Sequence, residues 1–255
     1  MKNCIEVRGL KIGEEIPKIC LPITGSTAKE IIDTALSFKD VTHDLVEWRV
    51  DFYDDVFNSA NLKDTLKSLR EALGNVPLLF TFRTLNEGGE KSIDKDAYLS
   101  LNKSVIATGL VDLVDVELFI GDDVLTDIVD FAHSNNVKVV ASNHDFNKTP
   151  AKDEIIYRLK KMQDLNADIP KIAVMPTCKR DVITLLDATE DFATNLADRP
   201  IITMSMKSDG VISRLCGEVF GSAVTFGFCG KASAPGQINA EDLKDVLQII
   251  HQSQL

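Results

Sequence analysis

The chain has 255 residues, 44% of them hydrophobic, and a formal net charge of -11. That is enough apolar material for a large core, while the acidic balance argues against non-specific binding to nucleic acid or anionic lipid. No apolar run reaches the ~18 residues that a membrane span needs, and the first residues, MKNCIEVRGLKIG, are charged where a secretory signal needs an unbroken apolar stretch. Five cysteines (Cys4, Cys20, Cys178, Cys216, Cys229) form no CxxC, and the four histidines form no HxH or HExxH. The expectation is a reduced, cytoplasmic protein without a protein-bound metal.

Residues 3–12 alternate weakly and turn at Gly9, which predicts a short hairpin. After it one pattern recurs: a run of strand formers, then a helical stretch. The strand runs are Lys18–Ile23, Leu45–Val50, Pro77–Arg83, Leu113–Leu118, Val137–Asn143, Lys171–Met175, Ile201–Met206 and Ala223–Phe228. Between them lie amphipathic helices. Thr27 with Glu30 three residues on predicts a capped start. Leu62, Leu66, Leu69 and Leu73 form one helical stripe, and Ile155, Ile156, Leu159 and Met162 another. The last helix spans Ala240–His251. Eight such units predict a (β/α)8 TIM barrel with the hairpin closing its bottom. An open doubly wound sheet is the alternative, but it normally needs fewer strands, and no GxGxxG follows the first strand. No Pro-, Gly- or Ser-rich linker interrupts the chain, so residues 1–255 read as a single domain.

In such a barrel the chemistry gathers at the C-terminal ends of the strands. Glu47 and Arg49 share a face, as do Thr81 and Arg83, and Asp115 and Glu117. Charges at one end of successive strands suggest a site, although Glu47, Arg49, Arg83 and Glu117 also fit a structural ion-pair ring. Lys171 leads the apolar run of PKIAVMP. Either its head reaches water while its stem covers apolar surface, or it loses solvation, and its pKa falls far enough for the amine to act as a nucleophile that forms a Schiff base. His144 follows the fifth strand and can move protons at neutral pH; a structural, hydrogen-bonded histidine is the alternative. Glu87 in TLNEGGE can orient that imidazole or stand as a solvated loop carboxylate. Arg214 can grip a carboxylate or pair with Glu218 on a helix surface. Met204 and Met206 suit barrel lining. The small-residue loop KASAPGQ, with Ser233 and Gln237, suits a mobile cover.

In order along the chain, EWRVD, LFTFRT, SNHDF, IPKIAVMP, ITMSM, GVISRL, GEVFGSAVTFG and KASAPGQ resemble type I 3-dehydroquinate dehydratase over nearly the whole length. The resemblance implies a homodimeric (β/α)8 barrel that dehydrates 3-dehydroquinate to 3-dehydroshikimate in the shikimate pathway, through an imine and with no metal or organic cofactor. It implies that Lys171 forms the imine, His144 is the general acid and base, and Glu87 partners this histidine. It further implies that Arg214 holds the substrate carboxylate and that Glu47, Arg49, Arg83, Ser233 and Gln237 bind the ring hydroxyls and their surroundings. Where members of the family carry a serine near the end of the first strand, this chain has Pro22, so that hydroxyl contact is not carried over. The alternatives are another Schiff-base barrel of the class I aldolase type, for which the chain lacks a Gly-rich phosphate loop after the seventh and eighth strands, and an inactive barrel that binds a carboxylated metabolite.

Overall fold

Alternation of side chains along extended backbone sorts this sequence into three layers. The computed structural model describes residues 4–230 and 236–255. Ile5–Val7 (β1) and Leu10–Ile12 (β2) pair antiparallel across a turn in which Arg8 and Gly9 both have positive φ, the backbone that suits a two-residue hairpin. Eight parallel strands follow: Lys18–Ile23 (β3), Leu45–Arg49 (β4), Leu78–Thr81 (β5), Leu113–Glu117 (β6), Lys138–Asp145 (β7), Ile169–Val174 (β8), Ile202–Ser205 (β9) and Val224–Phe228 (β10). Hydrogen-bonded neighbours run in the order β10-β3-β4-β5-β6-β7-β8-β9. A parallel bridge between Ile201 and Ser222 joins β9 to β10 and closes the ring. The fold is a (β/α)8 barrel. A two-residue strand, Ile238–Asn239 (β11), pairs with the end of β10.

The outer layer is helical: Ala28–Ser37 (α1), Ser59–Leu73 (α2), Lys95–Ile106 (α3), Asp122–Ser134 (α4), Lys152–Asp164 (α5), Lys179–Asp191 (α6), Val211–Leu215 (α7), Gly217–Phe220 (α8) and Ala240–Gln252 (α9). The expected caps and stripes form. Thr27 and Glu30 make a reciprocal capping box on α1, and Leu62, Leu66, Leu69 and Leu73 are buried on α2. Outward strand residues such as Trp48, Phe80, Val114, Val139 and Ile172 pack with them in one continuous core.

Inward residues form the second layer, and its character changes along the strands. At the N-terminal end Leu45, Leu79, Leu113, Ile169, Ile202 and Val224 pack against Ile5, Val7 and Ile12 of the hairpin. The hairpin plugs the bottom of the barrel. Two residues further up, the same faces carry Glu47, Thr81, Asp115 and Lys171, all buried.

Most strand limits differ from the sequence reading by a residue or two, and two of the differences bear on the site. β8 begins at Ile169 rather than Lys171, with Pro170 inside the ladder opposite Ala141. A proline's fixed φ suits extended backbone, and it removes only one donor, so it did not end the strand. β7 continues to Asp145 and keeps His144 in register with Ala173. Pro22 lies two residues beyond Cys20, the last β3 residue paired with β10. Among the described residues no helix is long and apolar enough to cross a membrane.

Candidate active site

Lys171 is the third residue of β8 and points inward, with only 3% of its surface exposed. Of the two readings open for it, snorkelling to water does not occur. Its Nζ donates to Asp115 Oδ2 at 3.1 Å, lies 3.7 Å from Glu47 Oε1, and sits 4.7 Å from the centre of the Phe226 ring. Two carboxylates and an aromatic face thus surround this amine, neighbours that the sequence does not reveal.

Those carboxylates are themselves held. Thr81 Oγ1 donates to Glu47 Oε1 at 2.9 Å. Asp115 Oδ1 accepts from Arg83 NH2 at 2.7 Å and from Ser142 Oγ. Burial pushes the Asp115 carboxyl up, but Arg83 and then Lys171 outweigh it and hold the group below the usual carboxylate range. Arg83 NH1 also donates to Glu117 Oε1 at 2.9 Å and to Ser142 Oγ at 2.9 Å. Burial opposes its charge, yet Asp115, Glu117 and Glu87 keep the guanidinium protonated well above its ordinary range. Arg83 is thus both a wall of the cleft and the hub of an ion-pair network with Asp115, Glu117 and Glu87; of the structural ring Glu47, Arg49, Arg83 and Glu117 only the Arg83–Glu117 pair forms, since Arg49 pairs with Asp51 and Glu47 faces Lys171.

The turn after β5 presents Glu87. Its start is pinned where Thr84 donates N–H and Oγ1 to Glu117, at 2.8 and 2.6 Å, and its far side where Glu90 N–H donates to Asp51 at 3.1 Å. Gly89 allows the close return: a Cβ there would lie 1.9 Å from the Arg83 carbonyl oxygen. Glu87 Oε2 accepts from the His144 backbone N–H at 2.8 Å and faces Nδ1 of that ring at 3.0 Å; Oε1 accepts from Asn143 Nδ2 at 3.1 Å. When Glu87 is ionised its carboxylate only accepts, so Nδ1 then carries the ring hydrogen and Nε2 keeps a lone pair. Burial, aided by Glu117 and opposed by Arg83, raises Glu87 to about 7. His144 is driven well below its ordinary value by burial and by Arg83, Lys171 and Arg49, so the imidazole is neutral.

Arg214 lies on α7 with 2% of its surface exposed. The helix-surface pairing with Glu218 is not formed; Glu218 Oε1 meets His251 Nδ1 at 2.7 Å instead. Arg214 NH1 is 3.7 Å from Met204 Sδ, and burial pulls its pKa down to about 10, still charged at neutral pH. Arg49 donates from Nε and NH2 to Asp51, both at 2.8 Å, and stacks 5.1 Å over Phe52.

One cleft of about 540 Å³, counting space open at its mouth, brings Lys171, His144, Glu87, Glu47, Arg49, Arg83, Arg214 and Gln237 together, with Met204, Met206 and Phe226 as its apolar wall. Ser233 falls outside the described residues. Asp115 was visible in sequence only as a strand-end charge; its contact with Lys171, two strands away, has no local signature. Phe226 and Asn143 carried no signal either. Among the described residues no group of three or more His, Cys, Asp or Glu side chains is placed to hold a metal ion.

The family model described as type I 3-dehydroquinase matches residues 19–254. A 3-dehydroquinate dehydratase from Clostridium botulinum is 57% identical over 253 residues, covering 99% of this chain and 100% of the relative. The crystal structure of a type I 3-dehydroquinate dehydratase from Clostridium difficile, with covalently modified comenic acid, superposes with a TM-score of 0.97 at 55% identity, covering 99% of this chain and 100% of that one. The 3-dehydroquinate dehydratase structure from Geobacillus kaustophilus gives a TM-score of 0.95 at 36% identity, with both chains fully covered. On sequence, fold and the length matched, this chain belongs to the type I 3-dehydroquinase family.

Proposed function

We propose that the chain is a hydro-lyase that dehydrates 3-dehydroquinate to 3-dehydroshikimate in the shikimate pathway, through a Schiff base on Lys171. The observation that carries this reading is the buried amine of Lys171, held 3.1 Å from Asp115, in the same cleft as a neutral imidazole and a buried arginine. That combination suits imine chemistry on a small carboxylated ketone.

In the proposed sequence the Lys171 amine, once deprotonated, attacks the C3 ketone and forms a C–N bond. His144 assists loss of water from the carbinolamine, which leaves a protonated imine. The imine withdraws electrons, so the C2 proton becomes acidic, and Nε2 of His144 removes it. The electron pair moves into the enamine. The C1 hydroxyl then departs with the proton from His144, and hydrolysis releases product and lysine. Overall one water is eliminated, in syn fashion. Glu87 holds the ring tautomer that leaves Nε2 as base. Asp115 and Glu47 supply counter-charge to the imine nitrogen. Arg214 pairs with the substrate carboxylate, where a bidentate, charge-assisted contact is strong. Glu47, Arg49, Arg83, Ser233 and Gln237 are proposed to bind the ring hydroxyls and their surroundings.

We also propose that residues 1–255 work as one catalytic domain, that the protein is a cytoplasmic homodimer, and that no cofactor takes part; sedimentation equilibrium tests the dimer. The function itself is tested by incubating the protein with 3-dehydroquinate and following ultraviolet absorbance of the conjugated product. A steady rise proportional to enzyme supports the reading. No rise, or carbon–carbon cleavage of the substrate, overturns it.

A further inference from the structure

Beside the His144–Glu87 pair, outside the lining of the cleft, a hydrogen-bonded chain runs to helix α5. Arg158 stacks 5.3 Å over the Phe119 ring, donates from Nε to Glu154 at 2.7 Å, and donates from NH1 to Asn143 Oδ1 at 2.8 Å. A guanidinium has no acceptor. The Asn143 atom facing it must therefore be the carbonyl oxygen, and the amide must turn its Nδ2–H toward Glu87 Oε1, 3.1 Å away. Asn143 is buried, so water does not compete for either end of the amide.

We propose that Arg158 is a positioning residue for the reaction: by fixing which end of the Asn143 amide meets Glu87, it keeps that carboxylate ionised against His144. The inference rests on the function proposed above, because dehydration is its readout. With Arg158 gone, the amide is free to rotate and offer Oδ1 to Glu87. Only a protonated carboxyl can meet a carbonyl oxygen, so the rotated amide favours the neutral form. Glu87 is sensitive to this because opposing influences meet on it, burial prevailing. Burial and Glu117 on β6 push its proton affinity up; Arg83, 3.6 Å away at the end of β5, and the donors Asn143 and His144 on β7 pull it down. One hydrogen bond to a charged group is enough to move such a balance by about one pH unit. A protonated Glu87 no longer requires the Nδ1–H tautomer of His144, and the base at Nε2 is lost with it.

The test is the pH dependence of kcat/KM for dehydration in wild type, Arg158→Leu, Arg158→Lys, Asn143→Leu and the Arg158→Leu/Asn143→Leu double variant. Arg158→Leu is expected to shift the acid-side midpoint up by about one unit, with about a tenfold loss below the midpoint and convergence with wild type at high pH. Arg158→Lys, which keeps a donor and no acceptor, should return most of the shift. In the Asn143→Leu background, removing Arg158 should add no further shift. Equal shifts with and without Asn143 would mean that Arg158 acts by charge alone, and a pH-independent loss would mean packing alone; either overturns the inference. If wild type does not dehydrate 3-dehydroquinate at all, the proposed function fails; if it does and the midpoint is unmoved in the variants, only this inference fails.

Discussion

A lysine placed among carboxylates stands beside a histidine placed among cations, and the proposed reaction needs both. Lys171 has Asp115 and Glu47 within 3.7 Å; His144 is surrounded by the fields of Arg83, Lys171 and Arg49, which with burial keep it neutral. This division of labour suits an imine nitrogen that must stay positive next to a base that must stay free. His144→Ala is expected to lose ~100- to 10,000-fold in kcat, the usual worth of general acid–base help, while still giving a reducible adduct with substrate. Because His144 titrates well below neutrality and Glu87 at about 7, the acid side of the kcat/KM profile should follow Glu87. Its folded-state pKa is raised, so Glu87 gains a proton as pH falls through 7, and activity should fall with it; a midpoint near the ordinary carboxylate value would contradict the assigned balance. Lys171, His144 and Glu87 were each legible from residue type and place in a strand or loop. Asp115 was not, because its role depends on a distance across β7 that parity does not encode.

Elements explain why the charges can stay where they are. The upper, polar layer of the barrel interior rests on a lower, apolar one, and the lower layer is completed by the hairpin residues Ile5, Val7 and Ile12. At the bottom rim three aspartates, each just before an even-numbered barrel strand, accept an amide hydrogen from the preceding strand. Asp44 meets Ile19 at 2.7 Å, Asp112 meets Leu78 at 2.9 Å, and Asp168 meets Val139 at 2.8 Å. Asp168 also pairs with His133 at 2.8 Å and Lys138 at 3.0 Å. This rim lies at the opposite end from the cleft. Asp168→Ala should therefore cost ~1–3 kcal/mol of stability, the range for orphaning a partly buried donor, with kcat unchanged; urea titration and steady-state kinetics check both halves. The number and order of strands were legible because the pattern repeats. Strand limits were less so: the sequence places the start of this strand at Lys171, yet Pro170 sits in the β8 ladder, since a proline's fixed φ is compatible with extended backbone. The rim aspartates gave no signal either, since a lone Asp before a strand is also an ordinary loop residue.

At the scale of the whole molecule, net charge and local charge point in opposite directions. The chain carries -11 overall, which repels an anionic substrate, while the cleft holds Arg49, Arg83, Lys171 and Arg214. Carboxylates engage Arg49 (Asp51), Arg83 (Asp115 and Glu117) and Lys171 (Asp115). On the proposed function, capture of the substrate carboxylate depends on short-range contact inside the cleft rather than on long-range steering. Since salt screens the long-range part first, kcat/KM should stay level or rise slightly between low and moderate ionic strength; a steep fall would indicate steering by a positive field that this charge distribution does not supply.

The claim on which the rest depends is that Lys171 is the covalent nucleophile. Borohydride reduction in the presence of 3-dehydroquinate, followed by mass measurement of the intact chain and of its peptides, tests it most directly. The account predicts one reduced substrate-derived adduct per chain on the peptide containing Lys171, and neither adduct nor turnover in Lys171→Ala. An adduct on another lysine, or full activity in Lys171→Ala, would contradict it.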